Sequence, residues 1–168
     1  MIDFFTGEET LTVDAKGRVT VPQRIRRVVE RGDPDWAEGK RPGVMVVYGT
    51  EDWNRLEVYS LKNYLRLIDQ LRDLPDDDED RDGLLDTYMT FAFDSQIDEE
   101  GRLTIPIRHR ERLGFTRELY LSSMGLHVRL WHRAAFEATQ GRELRAWAQS
   151  RAEAPDLARK LGRIQRGR

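Results

Sequence analysis

Apolar and polar positions alternate with period two over Leu11–Thr12–Val13 and again over Arg18–Val19–Thr20–Val21. That period predicts two half-buried strands. Asp14–Ala15–Lys16–Gly17 lies between them. A carboxylate there can accept from backbone amides ahead of it, and Gly17 can take a positive φ without steric cost. Pro22 ends the second strand and suits the first turn of a helix. The period then lengthens: Ile25, Val28 and Val29 fall on one face of a helix over 22–31, with Gly32 as its stop. Residues 32–43 (GDPDWAEGKRPG) are a loop by composition. Val44–Tyr48 and Leu56–Tyr59 are the next strands. Ser60 caps a helix running to about Leu74, with Leu61, Tyr64, Leu65, Ile68, Leu71 and Leu74 at helical spacing. Residues 83–93 (GLLDTYMTFAF) read as a buried helix, with Asp94–Ser95 as the exit.

The pattern then starts again. Residues 97–110 (IDEEGRLTIPIRHR) repeat residues 13–26 (VDAKGRVTVPQRIR) at a constant offset of 84. Seven of the fourteen positions are identical: Asp14/Asp98, Gly17/Gly101, Arg18/Arg102, Thr20/Thr104, Pro22/Pro106, Arg24/Arg108 and Arg26/Arg110. Val13/Ile97, Val19/Leu103 and Val21/Ile105 exchange one aliphatic for another. The second copy predicts a strand to Ile97, a strand over 102–105, a helix over 106–113, strands near 119–122 and 127–131, and a helix from about Arg133. Aligning Tyr59 with Trp131 changes the offset to 72, so the first copy carries about a dozen extra residues, best placed at 32–43. After Gln149 the chain turns polar, and fraying is expected.

The duplicated Asp-x-x-Gly-Arg, each followed by an aliphatic–polar–aliphatic–Pro strand and a basic helix start, resembles the MraZ family. These are bacterial DNA-binding regulators of the AbrB-like swapped-hairpin superfamily. Leu56–Glu57–Val58–Tyr59 and Arg129–Leu130–Trp131 share the likeness, which covers roughly residues 5–140. It implies an α+β fold of two pseudo-symmetric swapped-hairpin β units with packed helices in one chain. On that basis the chain divides into a first repeat with its helix (1–75), an acidic linker (76–82), a second repeat with helices (83–149) and a basic polar tail (150–168). The resemblance further implies a ring-shaped homo-oligomer on tandem promoter repeats in double-stranded DNA, controlling a division and cell-wall gene cluster.

Composition narrows the alternatives. Cysteine is absent, which excludes disulfides, iron–sulfur clusters and thiolate zinc sites. No apolar stretch approaches membrane-spanning length, and the N-terminus lacks a basic leader, so a soluble, cytoplasmic protein is expected; the resemblance implies that it is nucleoid-associated. Net charge is −2, which argues against a uniformly basic nucleic-acid binder. Charge is instead segregated. Asp73, Asp76, Asp77, Asp78, Glu79, Asp80 and Asp82 form an acidic run opposed only by Arg81, while basic residues dominate the last 27 positions.

Residues 14–27 set Lys16, Arg18, Arg24, Arg26 and Arg27 against Asp14. Residues 98–111 set Arg102, Arg108 and Arg110 against Asp98, Glu99, Glu100 and Glu111. The candidate DNA contacts are therefore Lys16, Arg18, Arg24, Arg26, Arg27 and Arg102, with the first copy the stronger. Asp14, Gly17, Asp98 and Gly101 are candidate turn formers. Arg18 and Arg102 can instead bridge Asp14 and Asp98, or do both. Asp78–Gly83 imitates half an EF-hand loop, but Met89 stands where calcium needs a bidentate Glu. His109, His127 and His132 have no metal-ligand spacing. Trp36, Trp53, Trp131 and Trp147 are expected to anchor cores or interfaces. No catalytic motif, cofactor, metal or small-molecule substrate is indicated. The competing class is a non-enzymatic oligomeric scaffold for a protein partner, with both Asp-x-x-Gly-Arg motifs purely structural.

Overall fold

A computed structural model describes residues 3–152 and 156–167. In chain order the first repeat comprises Glu8–Thr12 (β1), Arg18–Thr20 (β2), Gln23–Arg31 (α1), Gly43–Val47 (β3), Arg55–Ser60 (β4) and Leu61–Arg72 (α2). A short helix Arg81–Leu85 (α3) and a π-helical turn Asp86–Thr90 lead into Ala92–Gln96 (β5). The second repeat follows as Arg102–Thr104 (β6), Ile107–Leu113 (α4), Glu118–Ser123 (β7) and His127–Trp131 (β8). Helices Arg133–Ala138 (α5), Gln140–Arg151 (α6) and Asp156–Arg166 (α7) complete the described chain.

The fold is α+β. Six strands form an antiparallel sheet in the order β1-β7-β8-β4-β3-β5. β2 and β6 pair separately as an antiparallel ribbon. The repeats are therefore interleaved. β1 of the first lies against β7 of the second, and β4 against β8. Each ribbon strand sends its aliphatic residue inward: Val19 and Leu103 join Leu11, Ile25, Val29, Val44, Ile97, Leu121 and Val128 in one core. A period-two strand can bury only one face, so the alternation read in the sequence sets this arrangement. Among the described residues, those up to Arg133 form one compact unit and those from Ala134 onward a second.

The first helix follows its sequence signals closely. Pro22 precedes α1, Ile25, Val28 and Val29 are buried, and Gly32 caps its end. Ser60 caps α2 by accepting from the Asn63 amide at 3.3 Å. Leu65, read as part of the apolar stripe of α2, is instead exposed, while Ile68 and Leu71 are buried.

Two further expectations are corrected. Residues 83–93 do not form a buried helix. No side chain of α3 or of the π-helical turn is buried, and from Ala92 the backbone extends to pair with β3, Met45 opposite Asp94. β3 would otherwise present an unpaired edge, and satisfying that edge outweighs the local helical pattern. Nor are the described residues past Gln149 irregular: α6 continues to Arg151 and α7 spans Asp156–Arg166. Their Arg, Leu and Ala content favours helix, which polarity alone does not reveal.

Candidate nucleic-acid interface

The two Asp-x-x-Gly-Arg turns have the same geometry. Asp14 Oδ1 accepts the amides of Lys16 (2.9 Å) and Arg18 (2.8 Å), and its Oδ2 accepts Arg18 Nε (2.6 Å). Asp98 Oδ1 accepts the amides of Glu100 (3.0 Å) and Arg102 (2.8 Å), and its Oδ2 accepts Arg102 Nε (3.0 Å). The Arg18 amide and side chain hold the Asp14 carboxyl below its usual range. Around Asp98, partial burial pushes upward, but the Arg102 amide and guanidinium outweigh it. Hydrogen bonding to the ionised form is what makes aspartate, and not asparagine, the better residue here.

Each repeat also completes the other's turn. The Ile105 amide donates to Gly17 O (2.8 Å), and the Val21 amide donates to Gly101 O (2.9 Å). Gly17 and Gly101 have φ of 79° and 77°. The space a Cβ would need at each is filled from the opposite repeat. At Gly17 it would meet the Arg110 guanidinium and lie 2.7 Å from Ile105 O, and at Gly101 it would lie 2.6 Å from Arg26 Nη1. Arg110 is further tied to Ile105 O at 2.9 Å. Arg26 and Arg110 are thus a reciprocal pair of locks. Sequence reasoning singles out only Arg26, and as a DNA contact. The identity of the two arginines within the repeat is the signal that points to their shared role.

Strand register fixes what faces outward. Arg18 pairs with Thr104 and Thr20 with Arg102. Because Val19 and Leu103 point into the core, Arg18, Thr20, Arg102 and Thr104 share the outer face of one ribbon. Arg18 and Arg102 are diagonal neighbours on it, with roughly 7–8 Å expected between such positions. The two turns lie at opposite ends of this ribbon, so the face is pseudo-symmetric.

The charges at the two ends differ. Lys16 is exposed with no ion pair among the described residues, and Arg18 engages Asp14 through Nε. At the other end Arg102 is shared between Asp98 and Glu100, the latter at 2.9 Å from Nη2. Glu99 is held by Arg41 Nε at 2.7 Å. Arg41 belongs to the extra segment at 32–43, whose Pro42 carbonyl also accepts the Ile97 amide at 3.0 Å. The insertion of the first repeat therefore braces the acidic turn of the second.

The remaining candidates separate. Arg24 clamps the N-terminal segment, donating to Thr6 O (3.1 Å) and pairing with Glu9 (2.9 Å). Its repeat mate Arg108 lies instead over the Tyr48 ring and bonds His109 Nε2. Arg27 is exposed on α1. Among the described residues no three His, Cys, Asp or Glu side chains are placed to hold a metal ion, and no helix is long and apolar enough to cross a membrane. Of the tryptophans, Trp131 is buried, whereas Trp147 is about half exposed.

Comparison with known proteins is consistent with this duplicated geometry. The family model described as "MraZ protein, putative antitoxin-like" matches residues 4–86 and 89–156. The chain is 30% identical over 143 residues to a protein named transcriptional regulator MraZ from Ruegeria pomeroyi, covering 85% of this chain and 86% of that one. A protein of the same name from Cereibacter sphaeroides is 38% identical over 116 residues, covering 69% and 68%. Another from Acetivibrio thermocellus is 31% identical over 139 residues, covering 83% and 88%. Two matched repeats that interlock through their Asp-x-x-Gly-Arg turns place the chain in the MraZ family.

Proposed function

We propose that the protein is a non-enzymatic, DNA-binding transcriptional regulator. In this reading it acts in the cytoplasm on the nucleoid, as a ring-shaped homo-oligomer on tandem promoter repeats of a division and cell-wall gene cluster. The observation that carries the proposal is the β2–β6 ribbon, whose outer face presents Arg18, Thr20, Arg102 and Thr104 beside the exposed Lys16. Arginine guanidinium and threonine hydroxyl are phosphate-binding groups, and the turns that carry them are rigid. Bonding Nε of Arg18 to Asp14 orients the guanidinium and leaves its outer edge for a phosphate, so structural and functional roles coexist in one side chain. Names borne by the relatives support the regulatory reading.

A second reading has its own support. Both arginines satisfy their turn aspartates, and one end of the ribbon carries Glu99 and Glu100. A scaffold that binds a protein partner needs nothing more. Gel shifts on the protein's own upstream DNA, beside an unrelated fragment of equal length, separate the two. A regulator shifts its own DNA at markedly lower concentration, whereas an assembled protein that shifts neither fragment is a scaffold.

A further inference from the structure

The helix α7 lies almost wholly beyond the family-matched residues, which end at 156. It sets Arg159, Lys160, Arg163 and Arg166 against Asp156 alone, a balance of +3. The whole chain is at −2, so everything outside this helix carries −5. All four cations are exposed, and none has an ion-pair partner among the described residues.

Helical geometry sorts these charges. At about 100° per residue, Arg159, Arg163 and Arg166 fall within about 60° of one another. Leu157, Leu161 and Ile164 form an equally narrow seam, and the midlines of row and seam are about 160° apart. The seam begins at α6: Leu157 and Trp147 line one cavity of about 130 Å³, together with Arg151, Asp156 and Lys160. None of the three arginines lines that cavity. The row therefore faces solvent, and no acidic side chain stands within it.

We propose that the arginine row of α7 is a second DNA contact, which binds the phosphate backbone of the duplex without reading bases. The proposal rests on the DNA-binding part of the reading above and adds a surface to it. From Arg159 to Arg166 the row rises about 10 Å. One strand of a duplex presents a phosphate about every 3.4 Å of axis, so three guanidiniums span about three phosphates. Guanidinium is the side chain best matched to phosphate oxygens. Other polyanions fit less well. Inserting the seam into an anionic lipid surface would bury only three apolar side chains and would carry the arginines away from the headgroups. α7 has no aromatic residue on which the bases of a single strand could stack.

The test compares full-length wild type with a chain carrying Arg159→Gln, Arg163→Gln and Arg166→Gln. Glutamine removes the charge and keeps a helix propensity close to that of arginine. Affinity is measured by fluorescence anisotropy at several salt concentrations, on the protein's own upstream DNA and on an unrelated duplex. Circular dichroism and light scattering check folding and assembly. The variant should bind both duplexes at least tenfold more weakly at low salt, by the same factor. Its slope of log K against log salt should flatten by about 2.7 per engaged tail, since each phosphate contact supplies about 0.9. Arg→Lys at the same three positions should keep the slope. Each single Arg→Gln variant should take about 0.9 from it, which tests the same point should the triple variant fail to assemble. A wild type that binds its own DNA, with a Gln variant equal to it in affinity and slope, overturns this contact and leaves the DNA-binding reading standing. A wild type that binds neither duplex overturns both. Loss on the protein's own DNA alone would make the row a reader of sequence, and tighter binding by the variant would mean that the row meets the chain's own acidic run. Either result overturns the proposal, as does a variant that loses only phosphatidylglycerol vesicles or single-stranded RNA.

Discussion

Arg18 and Arg102 occupy equivalent corners of one ribbon and differ in what surrounds them. Arg18 has one carboxylate partner and Lys16 beside it; Arg102 has two carboxylate partners, Asp98 and Glu100. A guanidinium already shared between two acids gains less from a phosphate. Arg18→Ala should therefore weaken DNA binding more than Arg102→Ala. Removing one phosphate interaction flattens log K against log salt by about 0.9 per engaged subunit. Titration at several salt concentrations, on variants shown to be folded and assembled, checks this. Equal losses would mean that the pseudo-symmetry of the face outweighs the difference in charge. The turn glycines allow a second comparison. Ala at either position meets a positive φ and should cost on the order of 1–3 kcal/mol. At Gly101 the obstruction is the end of Arg26, so Arg26→Ala should recover part of the loss in Gly101→Ala. At Gly17 a backbone carbonyl obstructs as well, so Arg110→Ala should recover less in Gly17→Ala. Urea midpoints of the four single and two double variants decide it.

At the scale of elements, what the sequence reveals depends on whether the cause is local. The duplicated strand–turn–strand–helix unit is legible because alternation, a turn glycine and a helix-starting proline act within a dozen residues. The end of strand β5 is legible as the strand to Ile97, but its start is not, because Ala92 and Phe93 extend only to pair with β3, far away in sequence. The same limit applies to the site: Asp14–Arg18 is a local bond, whereas Arg110 at Gly17 and Arg41 at Glu99 join distant segments. Packing also places two histidines where their charge is unfavourable. His127 on β8 is partly buried near Glu57, and this burial, with Arg129 and Arg55 also close, lowers its pKa to about 4. His109 on α4 stacks on Phe93 under Arg108 and Arg112, and burial lowers it likewise to about 4. Both should be neutral in the fold and protonate near 6.5 when unfolded. Their contribution is complete above about pH 6.5 and is lost as pH falls toward 4, because the unfolded chain then binds more protons. Each can add a slope of up to about 1.4 kcal/mol per pH unit in that window. Urea unfolding across pH 4–7 should show it, and His109→Gln or His127→Gln should each flatten it. Unchanged slopes in both would place the titrating groups elsewhere. Next to His127, Glu57 is fully buried and bonded by Arg55 (2.9 Å) and Tyr59 (2.7 Å). Glu57→Ala should cost about 3–5 kcal/mol, since it leaves the largely covered Arg55 and Arg129 without their acid.

For the whole molecule, the ribbon face is too small to hold DNA tightly alone. One copy offers Lys16, Arg18 and Arg102 at close quarters, and even full neutralisation of three phosphates gives weak, salt-sensitive binding. With a net charge of −2, the surface outside α7 supplies no general attraction. On the proposed reading, tight binding comes from several copies held together, so that the second and third copies engage at high effective concentration. Two measurements follow. Light scattering at micromolar concentration should show no single 19.7 kDa species, since that mass is one chain. Affinity should also rise steeply from probes with one promoter repeat to probes with two and three. The gain should depend on the spacing between repeats, because rigid turns on a closed assembly cannot follow arbitrary spacing. Equal affinity for one, two and three repeats would mean that a single ribbon suffices, and the requirement for an assembly would fall with it.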